Sequence, residues 1–209
     1  MKVYIISHRR SGTHLTMSIL NNYFDGIVVE KQSDHPIFDD IMMTCDRLNN
    51  MKTTGKVIHA LREPRDVMVS SYYYEQHVSQ VHKRSFNMTF SEFLRQKKFI
   101  SNGPYSSLSR LEYWRHHTES WMIHKDIMHL YFEDSVEQLP KVIAKLEKYL
   151  GIKAKAQVLE SEKVDAKKSV FFRKGKVGDY QTHFSESDLE YAKSELTKPF
   201  NFGHELVCD

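Results

Sequence analysis

Two short segments of this chain join an apolar run to a helical pattern, and each places an arginine at the junction. Residues 7–15 read SHRRSGTHL and follow the run at 3–6, whereas residues 61–70 read LREPRDVMVS and end the run at 57–61. Small residues in the first segment would let backbone N–H groups surround an anion at a helix start, where the helix dipole favours negative charge. The second segment offers a guanidinium and, eight residues later, a hydroxyl, a spacing that suits a phosphate. Together they predict two halves of one phosphate site.

Apolar runs alternate with helical patterns along most of the chain. The runs cover residues 3–6, 57–61 and 127–132, with a shorter candidate at 26–30. This alternation is typical of an α/β protein with a largely parallel sheet. We therefore expect a P-loop-like central parallel sheet flanked by helices.

Two further helical regions are predicted after the second segment. Residues 90–125 combine helical spacing with many aromatic residues, and Thr89 and Glu92 match a capping box at their start. Pro140 suits a first helical turn and Gly151 a helix end, which bounds another helix between them.

Length and composition indicate one ordinary globular unit. The 209 residues suffice for one substantial core and are few for two, so we expect a single domain over residues 1–209. A formal net charge of +3 is too small to indicate nucleic-acid binding. No apolar segment has the length of a membrane span, and a strand begins almost at the N-terminus, which predicts a cytoplasmic protein. Cys45 and Cys208 are too few for a disulfide framework and lack a metal-type pairing.

Four motifs in sequence order resemble those of the sulfotransferases that use 3′-phosphoadenosine 5′-phosphosulfate (PAPS). Residues 7–15 resemble the family's 5′-phosphosulfate loop, and residues 61–70 resemble its 3′-phosphate motif. Residues 130–134, LYFED, are similar to the strand and helix around its Tyr-Glu-Asp sequence, and residues 173–180, RKGKVGDY, are similar to its C-terminal Arg-Lys-Gly loop. Their order and approximate spacing cover most of the chain, which is identified as a short member of that family.

The resemblance implies a sulfotransferase fold and a site that binds PAPS as sulfuryl donor without a required metal. Donor binding is assigned to residues of all four motifs. They are Arg9, Arg10, Ser11, Gly12, Thr13, His14, Leu15, Arg62, Ser70, Phe132, Arg173, Lys174 and Gly175. Arg10 stands at the position of the family's lysine, and we expect it to act catalytically by stabilising charge on the departing oxygen. Its role would be electrostatic, because arginine does not readily release a proton.

The resemblance also implies a histidine as general base. Cytosolic members carry this histidine in a Lys-Thr-His-x-Pro setting, and residues 33–36, SDHP, are the nearest counterpart. His35 is therefore the predicted base, because a neutral imidazole can accept the acceptor's proton as the new bond forms. The further candidates, in order, are His14, His77 and Glu75.

The chain departs from the family pattern in ways that affect the acceptor more than the donor. Leu15 stands where tryptophan is usual and Phe132 where tyrosine is common, which implies the loss of one aromatic contact to adenine and of one hydroxyl. The chain is also shorter than cytosolic steroid and phenol sulfotransferases. The resemblance implies that the missing segments are those that form the wall of the acceptor pocket in that family. We expect a small molecule with a hydroxyl or amine as acceptor and neither nucleic acid nor a membrane as partner. A homodimer is left open.

Two other functional classes stay open. A P-loop kinase or other NTPase would share the strand, phosphate loop and helix, and Glu133 with Asp134 would be its acidic pair, although the Gly-x-x-x-x-Gly-Lys pattern is absent. A non-catalytic protein would keep the nucleotide site without turnover. The polar residues of the second motif also have explanations that involve no phosphate, namely an Arg65–Asp66 ion pair and a helix-capping role for Ser70.

Overall fold

The structure is a computed structural model that describes residues 1–33, 45–97, 108–155 and 175–198. Its elements are β1 (Lys2–Ser7), α1 (Thr13–Tyr23), β2 (Val28–Ser33), α2 (Cys45–Thr54), β3 (Gly55–Leu61), α3 (Pro64–Val81), α4 (Phe90–Arg95), α5 (Arg110–Met122), β4 (Met128–Tyr131), α6 (Phe132–Glu137), α7 (Leu139–Leu150) and α8 (Glu186–Thr197). A 3₁₀ helix, Asp179–Thr182, precedes α8. The four strands form one parallel sheet in the order β2-β1-β3-β4.

Strand β1 alternates its side chains between two cores, as the period of a strand requires. Val3 and Ile5 pack in one cluster with residues of α1 and α7, whereas Tyr4 and Ile6 pack in another with residues of α2 and with Trp121 of α5. Helices therefore cover both faces of the sheet, as is usual for parallel sheets. This arrangement confirms the predicted α/β fold with a central parallel sheet flanked by helices.

A third cluster joins the helices that follow β3 to the C-terminal helix. Val67 and Val69 of α3 pack with Leu94 of α4, Leu111 of α5 and Ala192 of α8. The N-terminal part of α3 is therefore held in a hydrophobic layer. This layer gives a fixed base to the polar residues of the same helix.

Several element boundaries differ from those predicted. The third apolar run leaves the sheet at Tyr131, because Phe132 is already the first residue of α6. The region 90–125, which was predicted to be helical, contains the described helices α4 and α5. The capping box of Thr89 and Glu92 is present, which confirms that prediction.

The strand register brings the two arginine-bearing segments to one edge of the sheet. β1 and β3 are parallel neighbours, and Ser7 lies opposite Ala60. Their carboxyl ends therefore meet, which is where ligands of open α/β sheets bind. The loop after β1 and Arg62 after β3 start from this shared edge.

Candidate functional site

The loop after β1 contains two residues with positive φ. Arg10 has a φ of 67° and Gly12 a φ of 99°. A β-carbon on Gly12 would lie 2.9 Å from Cδ2 of Phe132, so close packing as well as backbone conformation requires glycine there. Alternation of left-handed and right-handed residues is typical of backbone nests that bind anions.

The start of α1 is suited to a negative ligand. The helix has no side-chain cap and no acidic residue in its first turn, and the hydroxyls of Ser7 and Thr13 hydrogen-bond to each other at the base of the loop. Ser11 is 1% exposed, and its Oγ has no hydrogen-bond partner within the described part of the chain. An unpartnered buried hydroxyl is costly, and an uncapped helix start favours negative charge. A phosphate or sulfate oxygen would satisfy both.

Arg62 connects the first loop to the C-terminal loop. Its Nη1 donates to the carbonyl oxygen of Arg10 at 3.3 Å, and its Nη2 donates to that of Lys176 at 3.3 Å. Its guanidinium carbon lies 4.2 Å from the ring centroid of Phe132, within cation–π range. Arg62 is 8% exposed. A permanent positive charge is therefore fixed between the two loops.

Arg10 extends from the first loop to the middle of α3. Its Nε donates to Oγ of Ser70 at 3.0 Å, and its guanidinium carbon lies 4.8 Å from the ring centroid of Tyr74. The guanidinium carbon of Arg9 lies 5.7 Å from the same centroid. Ser70 lies well inside α3, so its hydroxyl does not cap that helix. The i, i+4 spacing of Ser70 and Tyr74 is the sequence signal that could have identified Tyr74.

The same face of α3 holds Asp66, which is fully buried. Its carboxylate accepts the backbone N–H of Gly178 at 2.8 Å and that of Tyr180 at 2.9 Å. Arg65 pairs with Glu63 at 2.6 Å, and its guanidinium carbon lies 4.0 Å from the ring centroid of Tyr180. Arg65 and Asp66 therefore do not pair with each other. Asp66 binds the backbone of the C-terminal loop, and Arg65 contacts the ring of Tyr180 in the same loop, so both residues hold that loop against α3.

The acidic pair of the third motif also has a structural role. Oε1 of Glu133 accepts the backbone N–H of Glu63 at 2.9 Å, which ties α6 to the start of α3. Burial raises the pKa of Glu133 above its usual value. Asp134 accepts a hydrogen bond from Lys145 at 3.4 Å. Among the described residues, no group of three or more histidine, cysteine, aspartate or glutamate side chains is arranged to hold a metal ion.

The remaining predicted residues are placed as follows. His14 is exposed at the start of α1, and its partial burial, together with the positive charge of Lys31 and Arg10, lowers its pKa. Leu15 is half-buried and packs against the first core cluster. Gly175 has a φ of 61°. Three predicted residues lie outside the described residues: His35, Arg173 and Lys174.

The two later candidates for the base lie on α3. His77 is exposed, whereas both carboxylate oxygens of Glu75 accept hydrogen bonds from Arg110, at 2.8 and 3.0 Å. Arg110 is buried and its guanidinium carbon lies 3.8 Å from the ring centroid of Phe93. Both carboxylate oxygens of Glu75 are therefore already engaged by Arg110.

A row of histidines leads from the first loop into the sheet. The ring centroids of His8 and His117 lie 5.8 Å apart and those of His117 and His59 5.5 Å apart, and Nδ1 of His59 lies 3.2 Å from Nδ1 of His129. Burial lowers the pKa of His8 to about 3 and holds the pKa values of His59 and His117 well below their ordinary range. Nδ1–H of the neutral His8 ring donates to the Arg9 carbonyl at 2.8 Å. No sequence spacing predicted this row.

Comparison with known proteins identifies the family. The family model described as "Sulfotransferase domain" matches residues 1–198. The chain belongs to the sulfotransferase family. Sulfotransferase 1E1 of Bos taurus is 24% identical over 87% of this chain and 77% of its own length. Sulfotransferase 2A1 of Rattus norvegicus is 26% identical over 78% of this chain and 63% of its own length. The matches to these relatives thus span about two thirds to three quarters of their length.

Solved structures share the sulfotransferase fold with this chain. Mouse sulfotransferase SULT7A1, complexed with PAP, has a TM-score of 0.64 at 17% identity and covers 93% of this chain and 82% of its own. Retinol dehydratase, in complex with androsterone and the inactive cofactor PAP, has a TM-score of 0.59 at 18% identity and covers 93% of this chain and 79% of its own.

The comparisons confirm the predicted family, fold and enzyme class of this sulfotransferase. The donor and base roles of individual residues stay predictions, to which the geometry above adds physical support. No helix among the described residues is both long and apolar enough to cross a membrane.

Proposed function

We propose that this sulfotransferase transfers a sulfuryl group from PAPS to a hydroxyl or amine of a small acceptor. The observation that carries the proposal is the position of Arg62, which donates to the carbonyl oxygens of Arg10 and Lys176. One guanidinium thus joins the first loop, the second motif and the C-terminal loop. The structures of relatives in this fold that hold PAP support the same choice of nucleotide.

The donor presents two separated anionic groups to this site. The backbone amides of the first loop, Ser11 and the start of α1 would receive the 5′-phosphosulfate, because that end of the site offers N–H groups and an uncapped helix. Arg62 and Ser70 would receive the 3′-phosphate, with Arg173, Lys174 and Gly175 closing over it. Recognition of both ends would explain a preference for this nucleotide over ATP.

The transfer step is an electrostatic problem like phosphoryl transfer. The bond from sulfur to the 5′-phosphate oxygen breaks as the bond from the acceptor atom to sulfur forms, and negative charge develops on the departing oxygen. Arg10 would stabilise that charge while keeping its own proton. Its contacts with Ser70 and Tyr74 hold the guanidinium in one orientation. His35 would accept the acceptor's proton, with His14 as the second candidate.

Calorimetric titration with PAP tests the donor site. Arg62→Ala removes the charge that joins the loops, so we expect no measurable PAP binding. Arg95→Ala is a matched control, because Arg95 also lies over an aromatic ring and donates to a backbone carbonyl, but on α4 beside Tyr191 and Ser187. That variant should bind PAP like the parent protein. Normal affinity in Arg62→Ala would refute the proposed site.

The acceptor is sought with radiolabelled PAPS and a metabolite extract. Transfer of label to a small molecule supports the proposal, and identification of that molecule names the acceptor. Tight PAP binding without any transfer would favour a non-catalytic binding protein, and magnesium-dependent ATP hydrolysis would favour an NTPase. The cytoplasmic location, the single domain and the homodimer stay predictions.

A further inference from the structure

We propose that Asp66 is a positioning residue that makes the site selective for a 3′-phosphate, because it holds the C-terminal loop against Arg62. The proposal rests on PAPS being the donor and deepens that assignment. It concerns how Arg62 is oriented before any nucleotide binds.

Asp66 is built into the site as an anchor for backbone groups. The residue is fully buried, and its two carboxylate oxygens accept the N–H groups of Gly178 and Tyr180 at 2.8 and 2.9 Å. A buried carboxylate is costly unless it is hydrogen-bonded, so the loop cannot leave Asp66 without a large loss of free energy. Gly178 has a φ of 73°, a conformation that glycine adopts without strain.

A second contact secures the same part of the loop from outside. The guanidinium carbon of Arg65 lies 4.0 Å from the ring centroid of Tyr180, and Glu63 fixes that guanidinium at 2.6 Å. The loop is thus held at Gly178 and Tyr180 by consecutive residues of one helical turn. Asp66 supplies the buried part of this attachment and Arg65 the part-exposed one.

A third residue of the loop connects the part held by Asp66 to Arg62. The carbonyl oxygen of Lys176, two residues before Gly178, accepts a hydrogen bond from Nη2 of Arg62 at 3.3 Å. On its other side, Arg62 donates to the carbonyl of Arg10. If the loop moves away, the guanidinium loses its hydrogen bond to Lys176 and with it the contact that holds it toward the C-terminal loop. Asp66 therefore acts on Arg62 indirectly, and it is a positioning residue and not a catalytic one.

A loss of this positioning should weaken mainly the binding of a nucleotide that carries a phosphate on its 3′ oxygen. Arg62 is the proposed 3′-phosphate ligand, so disorder of its guanidinium should lower the affinity for PAP. Adenosine 5′-monophosphate lacks that phosphate and would depend on the first loop and the start of α1. Disturbing Asp66 should therefore lower the ratio of the two affinities, whereas a general loss of structure would weaken both nucleotides alike.

The test is calorimetric titration of Asp66→Asn with PAP and with adenosine 5′-monophosphate. Asparagine keeps the shape but replaces one acceptor oxygen with an NH₂ group that faces a backbone N–H. We expect PAP affinity to fall about tenfold or more, as for loss of a charge-assisted hydrogen bond, with adenosine 5′-monophosphate affinity changed less than about twofold. Hydrogen exchange at residues 176–180 should become faster.

Asp188→Asn is the matched control. Asp188 is also buried, and it accepts hydrogen bonds from Ser91 and from the backbone N–H of Ser185, but it lies at the start of α8. Asp188→Asn should lower the free energy of unfolding without changing the ratio of the affinities for PAP and adenosine 5′-monophosphate. An Asp66→Asn protein that binds PAP like the parent, or that loses affinity for both nucleotides equally, would overturn the proposal.

Two further variants keep the test decisive. If Asp66→Asn does not fold, Arg65→Ala loosens the same loop from its part-exposed side, and the ratio should fall in the same direction; an unchanged ratio would overturn the proposal. In Arg62→Lys, Asp66→Asn should cause less additional loss of PAP affinity than in the parent, because both changes act on one interaction. Failure of the parent protein to bind PAP at all would instead refute the proposed function.

Discussion

The guanidinium carbon of Arg62 lies 4.2 Å from the ring centroid of Phe132, and the same ring lies against Gly12 of the first loop. Phe132 therefore packs against both the loop backbone at Gly12 and the guanidinium that joins this loop to the C-terminal loop. Both contacts use the ring of Phe132 and involve no hydroxyl. A ring provides both a flat surface for the guanidinium and a close contact for the glycine.

Phe132→Leu should lower PAP affinity about three- to tenfold, because the cation–π contact of Arg62 is lost. Titration calorimetry measures this change. Phe93→Leu is the control, since Phe93 lies under Arg110 at 3.8 Å in the same kind of contact on α4. Both variants should lose roughly 1–3 kcal/mol of unfolding free energy in urea, but only Phe132→Leu should lose affinity. If Phe132→Leu binds PAP with the affinity of the parent protein, Phe132 does not orient Arg62.

Gly12→Ala should destabilise the protein more than Gly26→Ala. Both glycines have positive φ, at 99° and 71°, so each alanine costs roughly 1–2 kcal/mol of backbone energy. Only at Gly12 would the new methyl meet another side chain, Phe132, at 2.9 Å, whereas Gly26 has open space. Urea unfolding should therefore show an additional loss of roughly 1–3 kcal/mol for Gly12→Ala, accompanied by weaker PAP binding. Indistinguishable unfolding curves would contradict the packing argument.

His35→Ala should leave PAP affinity unchanged and lower turnover by roughly a hundredfold or more, because a general base contributes about 10²–10⁴-fold. Turnover is measured with radiolabelled PAPS and the acceptor identified from the extract. His82→Ala, at an exposed position after the end of α3, should have no effect on either quantity. If His35→Ala turns over normally and His14→Ala does not, the base is reassigned to His14.

The buried histidines predict a loss of stability in mild acid. The pKa of His8 is lowered to about 3 and those of His59 and His117 are lowered well below 6.5, in each case mainly by burial. Above pH 6.5 these rings are neutral in both folded and unfolded chains, so they add no pH dependence. Below pH 6.5 the unfolded chain takes up protons that the folded protein does not, which destabilises the fold by about 1.4 kcal/mol for each ring at pH 5.5.

Urea unfolding at pH 7.5 and pH 5.5 measures this dependence. His117→Gln removes one of these three buried rings, so its loss of stability between the two pH values should be smaller than that of the parent. A parent protein that is equally stable at both pH values would contradict the buried, neutral state of the row.

Local sequence patterns were sufficient for several elements of this fold. Alternation of apolar runs with helical spacing predicted the parallel sheet, and the residue types at the helix ends predicted α7 and the capping box of α4. These features depend on backbone preferences within a few residues, so they can be read without the rest of the chain. The motif order was likewise sufficient for the sulfotransferase family.

Only the tertiary structure decided which side chains meet. Arg62 reaches Lys176 across 114 positions, Asp66 reaches Gly178 across 112, and Arg10 reaches Ser70 across 60. The sequence predicted Arg62 and Ser70 as phosphate ligands, whereas for Asp66 it offered only an alternative ion pair with its neighbour Arg65. Such partners are set by strand register and helix packing, which bring distant residues to one edge of the sheet. No pattern within a single segment contains that information.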